Sequence, residues 1–258
     1  MIRVGVIGVG HLGYHHARVY TEILGAHLVG VVDINEDRAV GTGESLRVPF
    51  YGDLDTFLDR EKPDAVSVVV PTCAHYEVTR SLLLRGVHVL VEKPVTSRVD
   101  EAEDLLRLAA QKNLLLQVGH IERFNSATQY VSNIVNEPLV LQSRRLGPFS
   151  PRISDVGVVL DLMVHDIDII LSLVHSEIVH IAAMGRSVRS DHEDIASAQI
   201  QFANGAMADI LVSRVSERRL RQLEIMEPAR YINVNYETQD VSIHRCVRDN
   251  GTSLMEVV

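Results

Sequence analysis

Short apolar segments alternate with helix-length amphipathic segments through the first half of the chain. Each apolar segment holds five to seven residues and lacks the polar alternation of a strand with one wet face. Strands buried on both faces are typical of a parallel sheet covered by helices. We therefore predict an α/β domain with a doubly wound parallel sheet. Its predicted strands are residues 2–7, 27–33, 65–70, 87–91 and 114–118, and its predicted helices are residues 12–24, 53–60, 75–85 and 98–112.

The pattern changes near residue 120, where short runs of alternating polarity begin. Residues 155–174 form an apolar-periodic segment that predicts one long helix. The Asn204-Gly205 pair between two alternating runs is typical of a hairpin turn. We predict a second, α+β domain with a mostly antiparallel sheet, so that the domains span residues 1–120 and 121–258. Its predicted strands are residues 139–146, 178–188, 195–203, 206–214, 221–226, 231–235 and 240–246.

Composition narrows the class of protein. Of the 258 residues, 46% are hydrophobic, which favours a packed core over disorder. A net charge of −9 without a Lys/Arg tract disfavours binding to nucleic acid. No segment has the pattern of a signal peptide or reaches the about 18 apolar residues of a membrane span, so we expect a cytoplasmic protein without a membrane partner. Cys73 and Cys246 match no metal spacing, and we expect free thiols and no metal.

The motif Gly-Val-Gly-His-Leu-Gly at residues 8–13 lies between the first predicted strand and the first predicted helix. In this context Gly8 permits a tight turn, Gly10 lets the backbone approach a pyrophosphate, and Gly13 lets the helix pack close to the strand. The helix N-terminus then offers free N–H groups to the phosphates. The first domain is therefore predicted to be a Rossmann domain. Its cofactor loop comprises Gly8, Gly10, His11, Leu12 and Gly13.

Asp33 ends the second predicted strand, twenty residues after Gly13. A carboxylate there can accept hydrogen bonds from both ribose hydroxyls of the adenosine and would repel a 2′-phosphate. This favours NAD over NADP. Arg38 keeps NADP open, because a nearby arginine can receive that phosphate. In the alternative interpretation the glycines form only a turn and Asp33 an Asx turn.

Glu92, Lys93 and Pro94 follow the fourth predicted strand, and ligands of open α/β sheets bind beyond the carboxyl ends of strands. A lysine there can donate to a substrate hydroxyl, and its charge favours the developing negative charge on that oxygen during hydride loss. An exposed surface lysine is the alternative.

Asp161 and His165 lie four residues apart, and on a helix they share one face. A carboxylate beside an imidazole supports its charged form, which suits a general base near neutral pH. Asp168 is expected on the same side as a supporting partner, and Asp166 is expected to cap a helix or bridge domains. A solvated polar face is the alternative, although the apolar flanks make unpaired polar groups there costly.

Taken together, these motifs resemble the Gfo/Idh/MocA oxidoreductases, named after glucose–fructose oxidoreductase and inositol 2-dehydrogenase, over essentially the whole chain. The resemblance implies that Lys93 and His165 flank the reacting carbon and that Asp161 supports them. It also implies that the sheet of the second domain carries the floor of the substrate site and the interface of a homo-oligomer, a dimer or tetramer. The residues that it implies on the nicotinamide side of the cofactor are Pro71, Thr72, His75 and Glu92.

A narrower resemblance, to family members that oxidise the 3-hydroxyl of UDP-N-acetylglucosamine, rests on residues 118–125, 146–151 and 155–169. It implies a ketone product on which an aminotransferase partner acts. Arginines cluster around these segments, and arginine binds phosphate through paired N–H groups. Ordinary surface charge is the alternative for each, and Arg218, Arg219 and Arg221 are interpreted as a solvated edge. The predicted substrate-binding residues are Arg123, Asn125, Arg144, Arg152, Asp161 and His165, and Arg145 lies in the same cluster.

Two other functions remain open from the sequence. The first is the same chemistry on a cyclitol, an aldose or a UDP-uronate. The second is a sensor that binds NAD without catalysis, although such a protein has no need of Lys93 or the Asp161–His165 pair. The sequence ends at Val258, where family members usually continue into a further helix, and we expect this to affect activity more than fold.

Overall fold

The computed structural model describes residues 1–150, 156–249 and 252–257. The chain divides into two compact units, Met1–Gly119 and His120–Val258. The division lies next to the domain boundary expected from the sequence.

The first unit is a six-stranded parallel sheet in the order β3-β2-β1-β4-β5-β6. This is the doubly wound order in which the chain first extends the sheet one way from β1 and then returns to extend it from β4. Val6, Val68 and Val91 are fully buried, as expected for strands covered on both faces. The strands are β1 Ile2–Ile7, β2 Ala26–Val32, β3 Phe50–Tyr51, β4 Ala65–Val68, β5 His88–Val91 and β6 Leu116–Val118; the helices are α1 His11–Glu22, α2 Glu36–Leu46, α3 Leu54–Glu61, α4 Thr72–Leu84 and α5 Val99–Lys112.

The second unit contains an eight-stranded sheet in the order β14-β13-β12-β11-β7-β10-β9-β8. β7 and β10 run parallel, and the other neighbouring strands that the structure describes run antiparallel. Gly205 has a φ of +89° in the hairpin between β9 and β10, which suits glycine. The strands are β7 Val140–Leu146, β8 Ile178–Arg186, β9 Ile195–Phe202, β10 Met207–Ser213, β11 Leu220–Glu227, β12 Arg230–Asn235, β13 Asp240–Asp249 and β14 Thr252–Val257; the helices are α6 Ser126–Ile134 and α7 Val164–Leu173.

The second unit also contains two short helical turns. A 3₁₀ turn at Ile121–Phe124 opens the second unit. A π-helical turn at Val159–Met163 leads into α7, so the predicted long helix has a widened first part. Leu141, Ile170 and Ile225 are fully buried where the helices pack on the sheet. Within the described ranges, no helix is long and apolar enough to cross a membrane.

Candidate functional site

The glycine loop that follows β1 is closed by direct backbone contacts. Gly8 has a φ of +83°, and a Cβ on it would lie 2.5 Å from the carbonyl oxygen of Val69. A Cβ on Gly13 would lie 1.8 Å from the carbonyl oxygen of Gly8. Both positions therefore require glycine for the packing of the loop itself. A Cβ on Gly10 would meet no atom within 4 Å, so the fold leaves open space beside Gly10.

The N-terminus of α1 carries no side-chain cap. Gly10 is the N-cap residue, and the first turn contains no acidic side chain. His11 and Leu12, the first two helical residues, are exposed. An uncapped helix start presents unsatisfied N–H groups and the positive end of the helix dipole, which is the arrangement that binds phosphate.

Asp33 connects the end of β2 to the glycine loop. Its side chain is buried, with Oδ2 accepting a hydrogen bond of 2.9 Å from the N–H of Val9 and Oδ1 accepting one of 2.8 Å from the N–H of Asn35. The second bond is an Asx turn, so the alternative interpretation of Asp33 describes part of its role. Each carboxylate oxygen retains a further lone pair for a ligand hydroxyl.

A cavity of about 440 Å³ opens beside this loop. It lies at the carboxyl ends of β1, β2 and β4, where the strand order reverses and ligands of this fold bind. Its size, its mostly apolar walls and the carboxylate on its rim fit the adenosine half of a dinucleotide. The predicted residues on its lining are Gly8, Gly10, Asp33, Arg38 and Pro71, and its apolar walls include Ile34, Leu54, Val70, Ala74 and Val78.

Glu92 fixes the start of the loop after β5. Its Oε1 lies 3.2 Å from Nε2 of His16 on α1, and its Oε2 accepts a hydrogen bond of 3.2 Å from the N–H of Lys93. A Cβ on Gly119 would lie 2.6 Å from the same carboxylate, so Glu92 fills the space beside that glycine. Lys93 is half-buried, and its bond to Pro94 is cis. Sequence reasoning missed His16, which sits on the helix that follows the glycine loop.

His75 is buried beside the loop that follows β5. Its Nδ1 lies 2.7 Å from the carbonyl oxygen of Pro94, and its Nε2 lies 2.9 Å from that of Val70. The ring therefore ties α4 to the segments after β4 and β5. Pro71 caps α4, and the half-buried Thr72 begins that helix.

In the second unit, Asp161 lies within the π-helical turn and His165 within the first turn of α7. Asp161 is 8% exposed and His165 is half-buried. Residues four apart share a side of a helix, and π turns are frequent at functional sites.

Asp166 and Asp168 have partners that the sequence did not indicate. Asp166 is buried and accepts hydrogen bonds from Nε of Arg145 at 2.9 Å and Oγ of Ser143 at 2.7 Å, which anchors α7 on β7. Burial alone would lower the pKa of Arg145, but Asp166 and Glu122 hold that pKa above its ordinary value. Asp168 accepts a hydrogen bond of 2.7 Å from Nε of Arg123, a partner that the sequence did not indicate.

Among the described residues, the predicted substrate-binding side chains have different surroundings. Arg123 is exposed and bound to Asp168. Asn125 caps α6, since its Oδ1 accepts a hydrogen bond of 3.0 Å from Ala127, and its Nδ2 donates one of 3.1 Å to the carbonyl oxygen of Tyr236. These contacts give Asn125 a structural role that the substrate assignment overlooked.

The position of Arg144 contradicts its predicted place in the arginine cluster. Side chains of a strand alternate between faces, and on β7 Arg145 faces α7 whereas Arg144 is exposed on the opposite face. Arg144 there lines a polar groove with Gln199 and Asp209. It is therefore separated by the sheet from Asp161. Arg152 lies outside the described residues.

A second cavity, of about 130 Å³, lies within the second unit beside Asp161. Arg219 and Arg221, interpreted from the sequence as part of a solvated edge, are exposed and also line this cavity. Its lining also includes Arg145, Leu146, Gly147, Pro148, Ser150, Leu162, Ser213 and Arg214.

The doubly wound sheet, the uncapped glycine loop and the adjacent cavity define a domain of the dinucleotide-binding Rossmann class. Residues 2–120 match the profile described as oxidoreductase family, NAD-binding Rossmann fold. Residues 137–226 match the profile described as GFO/IDH/MocA C-terminal domain. The chain belongs to the Gfo/Idh/MocA oxidoreductase family, as the sequence motifs predicted.

Known relatives cover most of the chain. It is 38% identical to the UDP-N-acetylglucosamine 3-dehydrogenase of Acidithiobacillus ferrooxidans over 97% of this chain and 79% of that protein. A crystal structure of that enzyme superposes with a TM-score of 0.90 over 100% of this chain and 82% of the other. The scyllo-inositol 2-dehydrogenase (NAD(+)) of Bacillus subtilis is 28% identical over 83% of this chain and 68% of that protein.

Proposed function

We propose that this chain is an NAD-dependent dehydrogenase that oxidises a secondary hydroxyl of a sugar to a ketone. The substrate proposed is a UDP-N-acetyl-hexosamine, oxidised at C3. The observation that carries the proposal is the complete predicted reactive set, Lys93, Asp161 and His165, in a chain 38% identical to a UDP-N-acetylglucosamine 3-dehydrogenase. A ketone product would be the substrate of an aminotransferase, and a homo-oligomer formed through the second unit's sheet belongs to the same proposal.

Asp33 carries the proposed preference for NAD. The lone pairs left after its bonds to Val9 and Asn35 can accept both ribose hydroxyls, and its negative charge disfavours a 2′-phosphate. Arg38 lines the same cavity and is the residue that would favour NADP. The preference therefore depends on which of the two charges faces the ribose.

The reaction divides among three side chains. When bound, the nicotinamide supplies the acceptor for the hydride that leaves the carbinol carbon. The imidazole of His165 accepts the hydroxyl proton, and the carboxylate of Asp161 stabilises the resulting positive charge. The ammonium group of Lys93 stabilises the negative charge that develops on the oxygen.

A Lys93→Met variant tests these roles. We expect kcat with the productive sugar to fall about a hundredfold or more, because one charge that stabilises the transition state is lost. Binding of NAD⁺, measured by fluorescence titration, should remain within about twofold, because the cavity beside Asp33 does not include Lys93. The matched control is Lys112→Met, which removes an exposed lysine at the end of α5. Full turnover in the Lys93 variant would refute the assignment.

A cyclitol is the second candidate substrate. The relatives that favour it are the scyllo-inositol 2-dehydrogenase of Bacillus subtilis and the myo-inositol 2-dehydrogenase of Thermotoga maritima, each 28% identical to this chain. Cyclitols carry no phosphate, so the two candidates differ in whether the substrate site needs cations.

A further inference from the structure

We infer that Arg219 and Arg221 bind the diphosphate of the substrate, so that the cavity beside Asp161 is a phosphate subsite. This rests on the proposed function, because it deepens the assignment of a nucleotide sugar as substrate. Four arginines line this cavity: Arg145, Arg214, Arg219 and Arg221.

Two of these arginines are neutralised by the chain itself. Arg145 is bound by Asp166 and by Glu122, whose Oε1 lies 2.8 Å from its Nη1. Arg214 donates from Nε to Asp194 at 2.7 Å. Buried guanidinium groups of this kind need such partners, and their charge is therefore not available to a ligand.

Arg219 and Arg221 differ from that pair. Both are exposed, and within the described part of the chain neither has a carboxylate within ion-pair distance. Arg221 is the second residue of β11, and Arg219 immediately precedes that strand. Both line the same cavity, which therefore faces two guanidinium groups without carboxylate partners among the described residues.

The strand register adds an independent observation. Arg221 of β11 lies directly opposite Arg145 of β7, and residues opposite one another in an antiparallel pair share a face. Arg145 is already bound by Asp166 and Glu122. The register therefore places Arg221 on the cavity face of the sheet, as a cation with no ion-pair partner among the described residues.

The opposite charges on the cavity lining predict how a ligand is oriented. Guanidinium groups bind phosphate oxygens through paired N–H donors, whereas the carboxylate of Asp161 repels them. Phosphates therefore belong at the end of the cavity lined by Arg219 and Arg221, and the hydroxyl-bearing sugar belongs toward Asp161. A nucleoside diphosphate sugar has both parts, and a cyclitol has only one.

Binding of UDP tests the inference without requiring turnover. Isothermal titration with UDP should show affinity about ten- to hundredfold weaker in Arg219→Gln and Arg221→Gln, since each variant loses hydrogen bonds to a charged group. Arg218→Gln is the matched control, because Arg218 is exposed on the same turn and does not line the cavity. It should bind UDP within about twofold of the natural chain. NAD⁺ affinity and melting temperature should be unchanged in all three variants, which shows that the fold is retained.

The outcomes separate this inference from the proposed function. Equal losses in the Arg218 and Arg221 variants would reveal only general attraction of an anion and would overturn the inference. Failure of the natural chain to bind UDP would also overturn it, and turnover of a cyclitol in that case would preserve the dehydrogenase assignment. Selective loss of UDP binding supports the subsite even where no UDP-sugar is oxidised, in which event the proposed function alone fails.

Discussion

Asp194 illustrates how one buried carboxylate can organise a segment next to the proposed site. Its Oδ2 accepts hydrogen bonds from the N–H groups of Val188, Arg189 and Ser190 at 2.7, 2.6 and 3.0 Å. Its Oδ1 accepts one of 2.7 Å from Nε of Arg214, which also donates from Nη1 to the carbonyl oxygen of Val156 at 3.0 Å. Val156 lies just before the π-helical turn that carries the predicted catalytic carboxylate, so this network positions the start of that turn.

Removing the charge of Asp194 should destabilise the second unit. We expect Asp194→Asn to lower the free energy of unfolding by about 3 kcal/mol, because it leaves the buried Arg214 without its counter-ion. Asp191→Asn changes an exposed carboxylate in the same loop and should cost less than about 0.5 kcal/mol. Urea unfolding of the two variants measures the difference. Equal stability would show that the network contributes little.

The same residue predicts a dependence of stability on pH. Burial alone would raise the pKa of Asp194, but the N–H of Arg189 and the guanidinium of Arg214 hold the pKa well below its ordinary value of 3.8. A carboxylate with a lower pKa in the folded than in the unfolded state contributes stability above the unfolded pKa and loses it as pH falls below about 4. Between about pH 5 and about pH 3 the natural chain should therefore lose more stability than Asp194→Asn. Parallel curves for the two proteins would contradict this account.

Two glycines of the loop after β1 have different roles: Gly13 is needed for packing, and Gly10 leaves room for a ligand. Gly13→Ala should cost about 1–3 kcal/mol, since its Cβ overlaps the carbonyl of Gly8. Gly10→Ala should keep the stability within about 1 kcal/mol, because its Cβ meets no protein atom, yet weaken NAD⁺ binding about tenfold or more. Gly41→Ala, which also meets no atom, is the control and should change neither property. Unweakened NAD⁺ binding in Gly10→Ala would place the pyrophosphate elsewhere.

At the scale of elements, apolar runs predicted the buried strands of the first unit because burial determines them, whereas β3 and β14 were not predicted. Helix α2 was missed because Gly41 and Gly43 lower its helix propensity. The structure explains one of them, since a Cβ on Gly43 would lie 2.6 Å from the ring of Phe50. Helix α6 was missed because Asn125 was interpreted as a substrate ligand, although an asparagine before a helical segment is also a capping signal.

Asn125 provides a test at the scale of its helix. Asn125→Ala should destabilise the chain by about 1 kcal/mol, because α6 loses its N-cap. Asn125→Asp should recover most of that loss, because a carboxylate can accept the same bond from Ala127. Thermal unfolding measures both variants. The KM for sugar should be unchanged in each, and a large rise in KM would restore the substrate role that the sequence suggested.

At the scale of the whole molecule, the two units differ in how far sequence could reveal their sites. The glycine loop and Asp33 are set by local spacing along one strand–loop–helix unit, so the sequence located them. The cavity of the second unit combines β7, the π-helical turn and the start of β11, and no local motif links these segments. The faces of adjacent arginines on β7, and the partners of Asp166 and Asp168, likewise follow from tertiary packing.

The central claim, that this chain oxidises a nucleotide sugar with NAD⁺, is tested most directly by nicotinamide reduction. The purified chain would be mixed with NAD⁺ or NADP⁺ and, in parallel, with UDP-N-acetylglucosamine, myo-inositol and N-acetylglucosamine, with a carbonyl trap to draw the reaction forward. The account predicts absorbance of reduced cofactor with NAD⁺ and UDP-N-acetylglucosamine, and little with the sugars that lack phosphate. Oxidation of myo-inositol in preference to the UDP-sugar would contradict it.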